Sequence, residues 1–261
     1  MGSHLLSKSS FIRGVQCEKH LYLYKYHYNE MDQLSEMQKA IFKRGTNVGK
    51  LAQQLFPNGI DASPLTQFEY DKAVQLTIEA LSNENAVLYE GAFLVDGYYV
   101  RCDIIEKKGN KLRLIEVKAK SFDPTDDFLF ISKNGKLVSG WKPYLFDLAF
   151  QKYVAQKALP QFQYKAYLVL ADKTKTASID GLNQLFRIPN KGNPRTDIIK
   201  KVTKIEEIGQ SVLSEINVDS VINSIIEGTF LYYDNLNFSE AMDLFRDAYQ
   251  EKKYLNWPLK F

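Results

Sequence analysis

The sequence predicts an α/β fold in which a mixed sheet is flanked by helices in the order αα-βββ-α-β, followed by a mainly helical C-terminal extension. Three observations predict it. Asp96-Gly97 and Gly109-Asn110 each separate two runs rich in β-branched and aromatic residues, the signature of two consecutive tight hairpins. A helical pattern from Pro143 to Leu159 then leads into the β-rich run Tyr164 to Leu170, which suits a buried strand reached by a crossover. Apolar stripes at helical spacing recur on either side of this centre.

In chain order, the segment from Leu34 to Phe56 reads as helical, broken or kinked near Gly45 and Gly49, and is stopped by Pro57-Asn58-Gly59. A second helix is expected from Ser63, a good N-cap, through Pro64 in its first turn to Leu81, with Ala73, Leu76 and Ala80 as its apolar stripe. The meander runs from about Val87 to Lys118. Residues 121–140 form a long connection with a Lys133-Asn134-Gly135-Lys136 turn signal, a candidate small hairpin over the site. Residues 5–172 are taken as the core and 173–261 as the extension packed on it. In the extension, Ile198, Val202, Ile205, Val212 and Ile216 are expected to form one helical stripe, and Ala241, Phe245 and Ala248 another.

The two turns fix the register of the meander. A two-residue turn at Asp96-Gly97 sets Glu90 opposite Asp103, and one at Gly109-Asn110 sets Asp103 opposite Glu116. The three carboxylates are then expected in one row on one face, with neighbouring Cβ atoms roughly 5 Å apart. Like charges that close repel unless a cation or raised pKa values offset the cost, and a divalent metal is the simplest remedy. Lys118, two residues beyond Glu116, projects from the same face. Six basic residues, Lys107, Lys108, Lys111, Arg113, Lys118 and Lys120, stand between 107 and 120 against the single carboxylate Glu116. Apart from Lys118 they either meet phosphates or serve as the ordinary charges that protect an exposed hairpin. The stretch from Lys19 to Tyr28, with Tyr22, Tyr24, Tyr26 and His27, either stacks bases or, as the better reading, packs its rings on the core with wet hydroxyls.

Asp103 followed by Glu116-Val117-Lys118 on the next strand resembles the signature of the PD-(D/E)XK nuclease superfamily. The opening Leu6-Ser7-Lys8-Ser9-Ser10-Phe11-Ile12-Arg13-Gly14-Val15-Gln16-Cys17, with Phe42-Lys43-Arg44-Gly45, Arg101-Cys102-Asp103-Ile104-Ile105 and Asp147-Leu148-Ala149-Phe150-Gln151, is similar to its RecB-like branch, including the nucleases associated with CRISPR adaptation. The resemblance spans about residues 6 to 171. It implies a restriction-endonuclease-like core and a metal-dependent deoxyribonuclease acting on single strands or duplex ends. In that role Asp103 and Glu116, helped by the Val117 carbonyl, would hold one or two Mg²⁺ or Mn²⁺ ions, and Lys118 would position or activate the attacking water.

Several positions depart from that pattern. The usual metal-binding His is replaced by Gly49, which favours an all-oxygen site for Mg²⁺ or Mn²⁺ and offers Glu90 as the substitute ligand. Alternatively Glu90 pairs with Arg101 or Lys118 in a polar layer. An iron–sulfur cluster needs four cysteines and the chain has two, Cys17 and Cys102, so none is expected. Gln151 occupies the branch's glutamine position, but Ala155 stands where a tyrosine is usual. Gln151 and Asp147 either contact a water or phosphate at the site or lie on a solvated face. Two function classes therefore compete with the nuclease: a catalytically degenerate nucleic-acid-binding module, and an accessory subunit docking through the C-terminal helices onto a protein of DNA repair or defence.

Composition sets outer bounds. A hydrophobic content of 45% over 261 residues supports a substantial core, and a net charge of +3 neither demands nor excludes nucleic acid. No apolar run approaches the roughly 20 residues that span a bilayer, and neither a membrane span nor a signal peptide is expected; Met1-Gly2-Ser3-His4 reads as a cloning remnant. With no disulfide spacing, a cytoplasmic protein is expected.

Overall fold

The computed structural model describes residues 5–63, 69–182, 186–187, 199–200, 209–230 and 236–251. The chain starts with a short strand, β1 (Leu6–Ser7), and turns at once into α1 (Lys8–Gln16), capped where the Ser7 hydroxyl accepts from the Ser10 amide at 3.2 Å. Helix α2 (Glu18–Tyr26) follows after the extended Cys17. Its tyrosines are half-buried, and the Tyr26 hydroxyl donates to the Tyr249 carbonyl at 3.1 Å, so this stretch is packed against the last helix. Helix α3 (Glu36–Gln53) opens with a capping box: Ser35 and Gln38 exchange side-chain to amide bonds of 3.2 and 2.8 Å. It runs through Gly45 and Gly49 without interruption, contrary to the expected break.

After β2 (Ile60–Asp61), α4 (Tyr70–Leu81) begins at Tyr70 and not at the expected Ser63, which is in coil; Pro64 lies outside the described residues. The meander is β3 (Asn85–Val95), β4 (Tyr98–Lys108) and β5 (Lys111–Phe122), with both expected turns and registers: Val95 faces Tyr98 and Lys108 faces Lys111. Helix α5 (Lys142–Ala158) crosses over to β6 (Gln163–Asp172), parallel to β5. A small pair, β7 (Phe186–Arg187) and β8 (Ile199–Lys200), precedes β9 (Leu213–Asn217), α6 (Asp219–Ile226) and α7 (Phe238–Glu251).

The main sheet is mixed and open, in the order β2-β3-β4-β5-β6-β9, with β1 pairing in parallel to β4. Its outermost strand β9 corrects the expected extension, because Val212 to Ile216 is not helical: Val212 leads into Leu213 to Asn217, which runs antiparallel to β6. The alternating burial of Leu213 to Asn217 explains this, since a period of two satisfies an edge strand. The boundary expected at 172/173 thus falls within one sheet. Ile198 lies with Val202 and Ile205 outside the described residues, whereas Ala241, Phe245 and Ala248 do form the buried stripe of α7.

One face of the sheet carries α5, itself covered by α1, α6 and α7, which is why α5 is buried nearly all round. Phe11 of α1 stacks on Phe150 at 4.9 Å and meets Phe238 and Phe245 edge-on at 5.6 and 5.8 Å. Each such fully buried ring contributes roughly 3 kcal/mol by burial. Gly14 makes the approach possible: a Cβ there would stand 3.2 Å from the Phe245 ring. The other face carries the C-terminal half of α3, through Ala52 and, just beyond the helix, Phe56 on Ile104, Ile115 and Val169. The Tyr89 hydroxyl fastens that end of α3 to the sheet, donating to the Phe56 carbonyl at 2.6 Å and accepting from the Gly59 amide at 3.1 Å. Among the described residues no helix is long and apolar enough to cross a membrane.

Candidate active site

Strand β4 has a divided edge. Beside Ile104 to Lys108 it pairs with β5, beside Tyr98 and Tyr99 it pairs with β1, and between the two lies a gap at Arg101 to Asp103. There the Asp103 carboxylate takes the place of a ladder acceptor and receives the Val117 amide at 2.8 Å. Regular alternation slips at the same level: Leu88 and Phe93, five apart, and Cys102 and Ile105, three apart, all enter the core under α5. Between them Glu90 adopts φ +56°, a left-handed conformation that is uncommon for a residue with a side chain. A cleft of about 720 Å³ opens at the gap, bounded by β1 and the start of α1, by Gly45, Gly49 and Lys50 of α3, and by Glu90, Asp103, Glu116 and Lys118.

Because the alternation slips, the expected row of three carboxylates is broken, although all three line the cleft. Glu90 pairs with Arg101 at 3.6 Å, the polar-layer alternative, while Asp103 lies beside β5. Glu116 is buried and turned toward α5. Its Oε1 accepts from Lys8 Nζ at 3.1 Å and from Lys118 Nζ; its Oε2 accepts from Lys8 Nζ at 3.1 Å and from Gln151 Nε2 at 2.6 Å. Asp147 completes the arrangement from α5, binding Lys118 through Oδ2 at 2.7 Å, Gln151 through Oδ1 at 3.1 Å and Lys8 through Oδ1 at 3.6 Å. Lys8, Glu116, Lys118 and Asp147 thereby form a ring of alternating charge, with Gln151 bracing its two carboxylates.

The electrostatics follow from this ring. Burial opposes the charge of Lys8, but Asp147, Glu116 and Asp103 outweigh it and hold its pKa well above the usual lysine range. Lys118 is likewise penalised by burial and raised by Glu116 and Asp147. Burial pushes the Asp103 carboxyl above its ordinary value; Lys8, Lys118 and the Val117 amide pull it back, and the neighbouring charge of Glu90 adds to the rise.

Among the described residues no three His, Cys, Asp or Glu side chains stand together as a ready metal cage. Asp103 and Glu116 nevertheless fit a hard divalent ion that keeps much of its water, since such ions are often held by one or two carboxylates. The buried Gln151 Oε1, which has no hydrogen-bond partner, adds an acceptor suited to a water beside Glu116. Val117 lines the same cleft. Glu90 pairs with Arg101 at 3.6 Å, lines the same cleft, and lies close enough to Asp103 for its charge to raise that carboxyl.

The basic residues expected to meet phosphates separate into two groups. Lys120 lies at the cleft end, but its ammonium donates to the Gly140 carbonyl at 2.5 Å and sits 4.2 Å from the Trp141 ring centre, and burial lowers its pKa. The others lie at the turn end; Lys111 is five residues from Glu116, roughly 17 Å along the strand. Lys107 is corrected outright: it is buried and donates to the Asn83 and Glu84 carbonyls at 2.6 and 3.2 Å. Lys108 pairs with Glu106 at 2.9 Å, and Arg113 is held by both Glu106 and Glu215. Lys111 is exposed at the hairpin tip. The connection 121–140 does make its small turn, with Gly135 at φ +71° and an Ile131–Leu137 bridge. It packs toward β6, β9 and Trp141, and contributes no residue to the cleft lining, so α3 and not this loop forms the wall.

Lys8 is the site residue that the sequence reading left without a role. A signal for it exists: a lysine in the first turn of a helix opposes the helix dipole and calls for nearby carboxylates. No protein-family model matches the chain, and a search of curated proteins found no match.

Proposed function

We propose that this chain is a metal-dependent phosphodiesterase acting on DNA, with a restriction-endonuclease-like core and the cleft at the β4–β5 gap as its reaction site. The observation that carries the reading is the meeting of Asp103, Glu116 and Lys118 from two adjacent strands in a cleft open to solvent, where the ladder between those strands ends. Mg²⁺ or Mn²⁺ held by Asp103 and Glu116 would supply Lewis acidity toward a phosphoryl oxygen and a nearby water. Lys118, fixed by Asp147 and Glu116, presents a permanent ammonium that offsets the negative charge growing at phosphorus. Gln151 keeps the Glu116 carboxylate oriented from the buried side, and the apolar packing of α5 excludes water from behind the site.

A second reading, a nucleic-acid-binding module without catalysis, is favoured by one observation: both oxygens of Glu116 are already bonded within the protein. The deciding experiment incubates the purified protein with single-stranded and duplex DNA in Mg²⁺, Mn²⁺ or EDTA, beside Lys118→Ala. Metal-dependent cleavage that disappears in the variant is the expected result. Binding without cleavage in every metal would move the conclusion to the second reading.

A further inference from the structure

We propose that Lys8 is the resident counter-cation of Glu116, and that a divalent ion gains the carboxylate by displacing the Lys8 ammonium, so that Lys8 sets how tightly the site holds metal. The inference rests on the reading of Asp103 and Glu116 as metal ligands, and not on the reaction they serve.

A carboxylate offers about four lone-pair directions. Those of Glu116 are filled by Lys8 on both oxygens, Lys118 on Oε1 and Gln151 on Oε2. Lys8 Nζ is 3.1 Å from each oxygen, so it straddles the edge of the group that a metal would share. For a cation to bind, one donor has to leave. Gln151 is fully buried and anchored to Asp147 as well. Lys118 keeps Asp147 as a second partner at 2.7 Å. Both lysines line the cleft and are about equally exposed, 23% and 22%, but Lys8 holds Asp147 only at 3.6 Å, so it is the lysine with the weaker second partner.

Its position is nonetheless built into the fold. Leu6 is fully buried and its amide donates to the Gly97 carbonyl at 2.9 Å, which ties β1 to the turn after β3. Ser7 caps α1, and the next residue is Lys8. The chain thus delivers this ammonium to Glu116 from 108 residues away. A lysine in this place keeps the carboxylate compensated until an ion of higher charge competes for it.

The test is calorimetric titration of Mn²⁺ into the parent, Lys8→Met and Lys8→Arg proteins at neutral pH without nucleic acid. Lys8→Met is expected to bind Mn²⁺ about ten-fold more tightly than the parent, a change of the size seen when groups around metal ligands are altered. Lys8→Arg, which keeps the charge, should stay close to the parent. If Lys8→Met does not retain the parental circular dichroism, Lys8→Gln is judged by the same criterion. Unchanged or weaker Mn²⁺ affinity in the folded neutral variant overturns the proposal, as does the absence of Mn²⁺ binding in both proteins. DNA cleavage is scored separately. Tighter Mn²⁺ binding in the variant with no cleavage by the parent upholds the competition and removes the phosphodiesterase reading. Cleavage by the parent with equal Mn²⁺ affinities removes the role of Lys8 and leaves that reading intact.

Discussion

The two ends of the β4–β5 hairpin carry similar densities of charge and use them in opposite ways. At the turn end the ladder is continuous from Ile104–Ile115 to Lys108–Lys111, and the charges are consumed locally: Lys107 by backbone carbonyls, Lys108 and Arg113 by Glu106 and Glu215. At the other end the ladder stops, β5 leaves the edge of β4, and the charges of Asp103, Glu116 and Lys118 face a cleft and the first turn of α1. A run of lysines in the sequence is therefore no guide to a site by itself. What distinguishes the ends is whether the backbone separates enough to leave space in which charges from distant segments meet.

The largest effect that sharpens this contrast is expected from Glu116→Ala, which removes the shared acceptor of Lys8, Lys118 and Gln151. Metal-dependent DNA cleavage should fall by about 10³-fold, while Arg113→Ala should stay within about two-fold of the parent; equal losses in a gel-based rate assay would erase the distinction. Next comes Lys107→Ala, which leaves two carbonyls at the turn end without their donor. Urea denaturation should show a loss of about 2 kcal/mol, and the salt dependence of DNA binding should not change. A slope reduced by about one unit would mean that the turn end contacts phosphate after all.

Asp103→Asn is expected to act in opposite directions on function and stability. Cleavage should be lost, while the Asn oxygen still accepts the Val117 amide. Because burial raises the Asp103 pKa in the folded state, its contribution to stability is fully present below the unfolded value near 4 and is lost as pH rises through the folded value. The variant should therefore be more stable than the parent at pH 8, by something of the order of 1 kcal/mol, and the gain should fade as the solution is acidified toward pH 4; a pH-independent difference in melting temperature would contradict this. The smallest effect concerns Glu90. Since φ +56° suits glycine, Glu90→Gly should exceed Glu90→Ala in stability by about 1 kcal/mol. Equal stabilities in chemical denaturation would show that the left-handed backbone carries no strain.

Much of this arrangement was legible in the sequence because hairpin turns act locally. Asp96-Gly97 and Gly109-Asn110 were enough to give both registers, and with them the neighbourhood of Asp103 and Glu116. The slip at Glu90 was not legible, since nothing in Tyr89-Glu90-Gly91 marks a left-handed glutamate in mid-strand. It is what turned an expected row of three carboxylates into a pair with Arg101 and a ring around Glu116. Strand β9 was hidden for a different reason: Val212 and Ile216 are four apart, a spacing that satisfies both a helix face and one side of a strand. Lys8 escaped because its partners lie more than a hundred residues downstream, and only the awkwardness of a lysine at a helix start pointed to them.

The ring around Glu116 also has a consequence for the order of synthesis. It draws Lys8 from the first helix, Glu116 and Lys118 from the third long strand, and Asp147 and Gln151 from α5. At a translation rate of about 5–20 residues per second, a nascent chain carries Lys8 for roughly seven to thirty seconds before Gln151 is made, and longer before it clears the ribosome. Until then Glu116 lacks the bracing that fixes its orientation, so the ring closes only when the crossover helix docks.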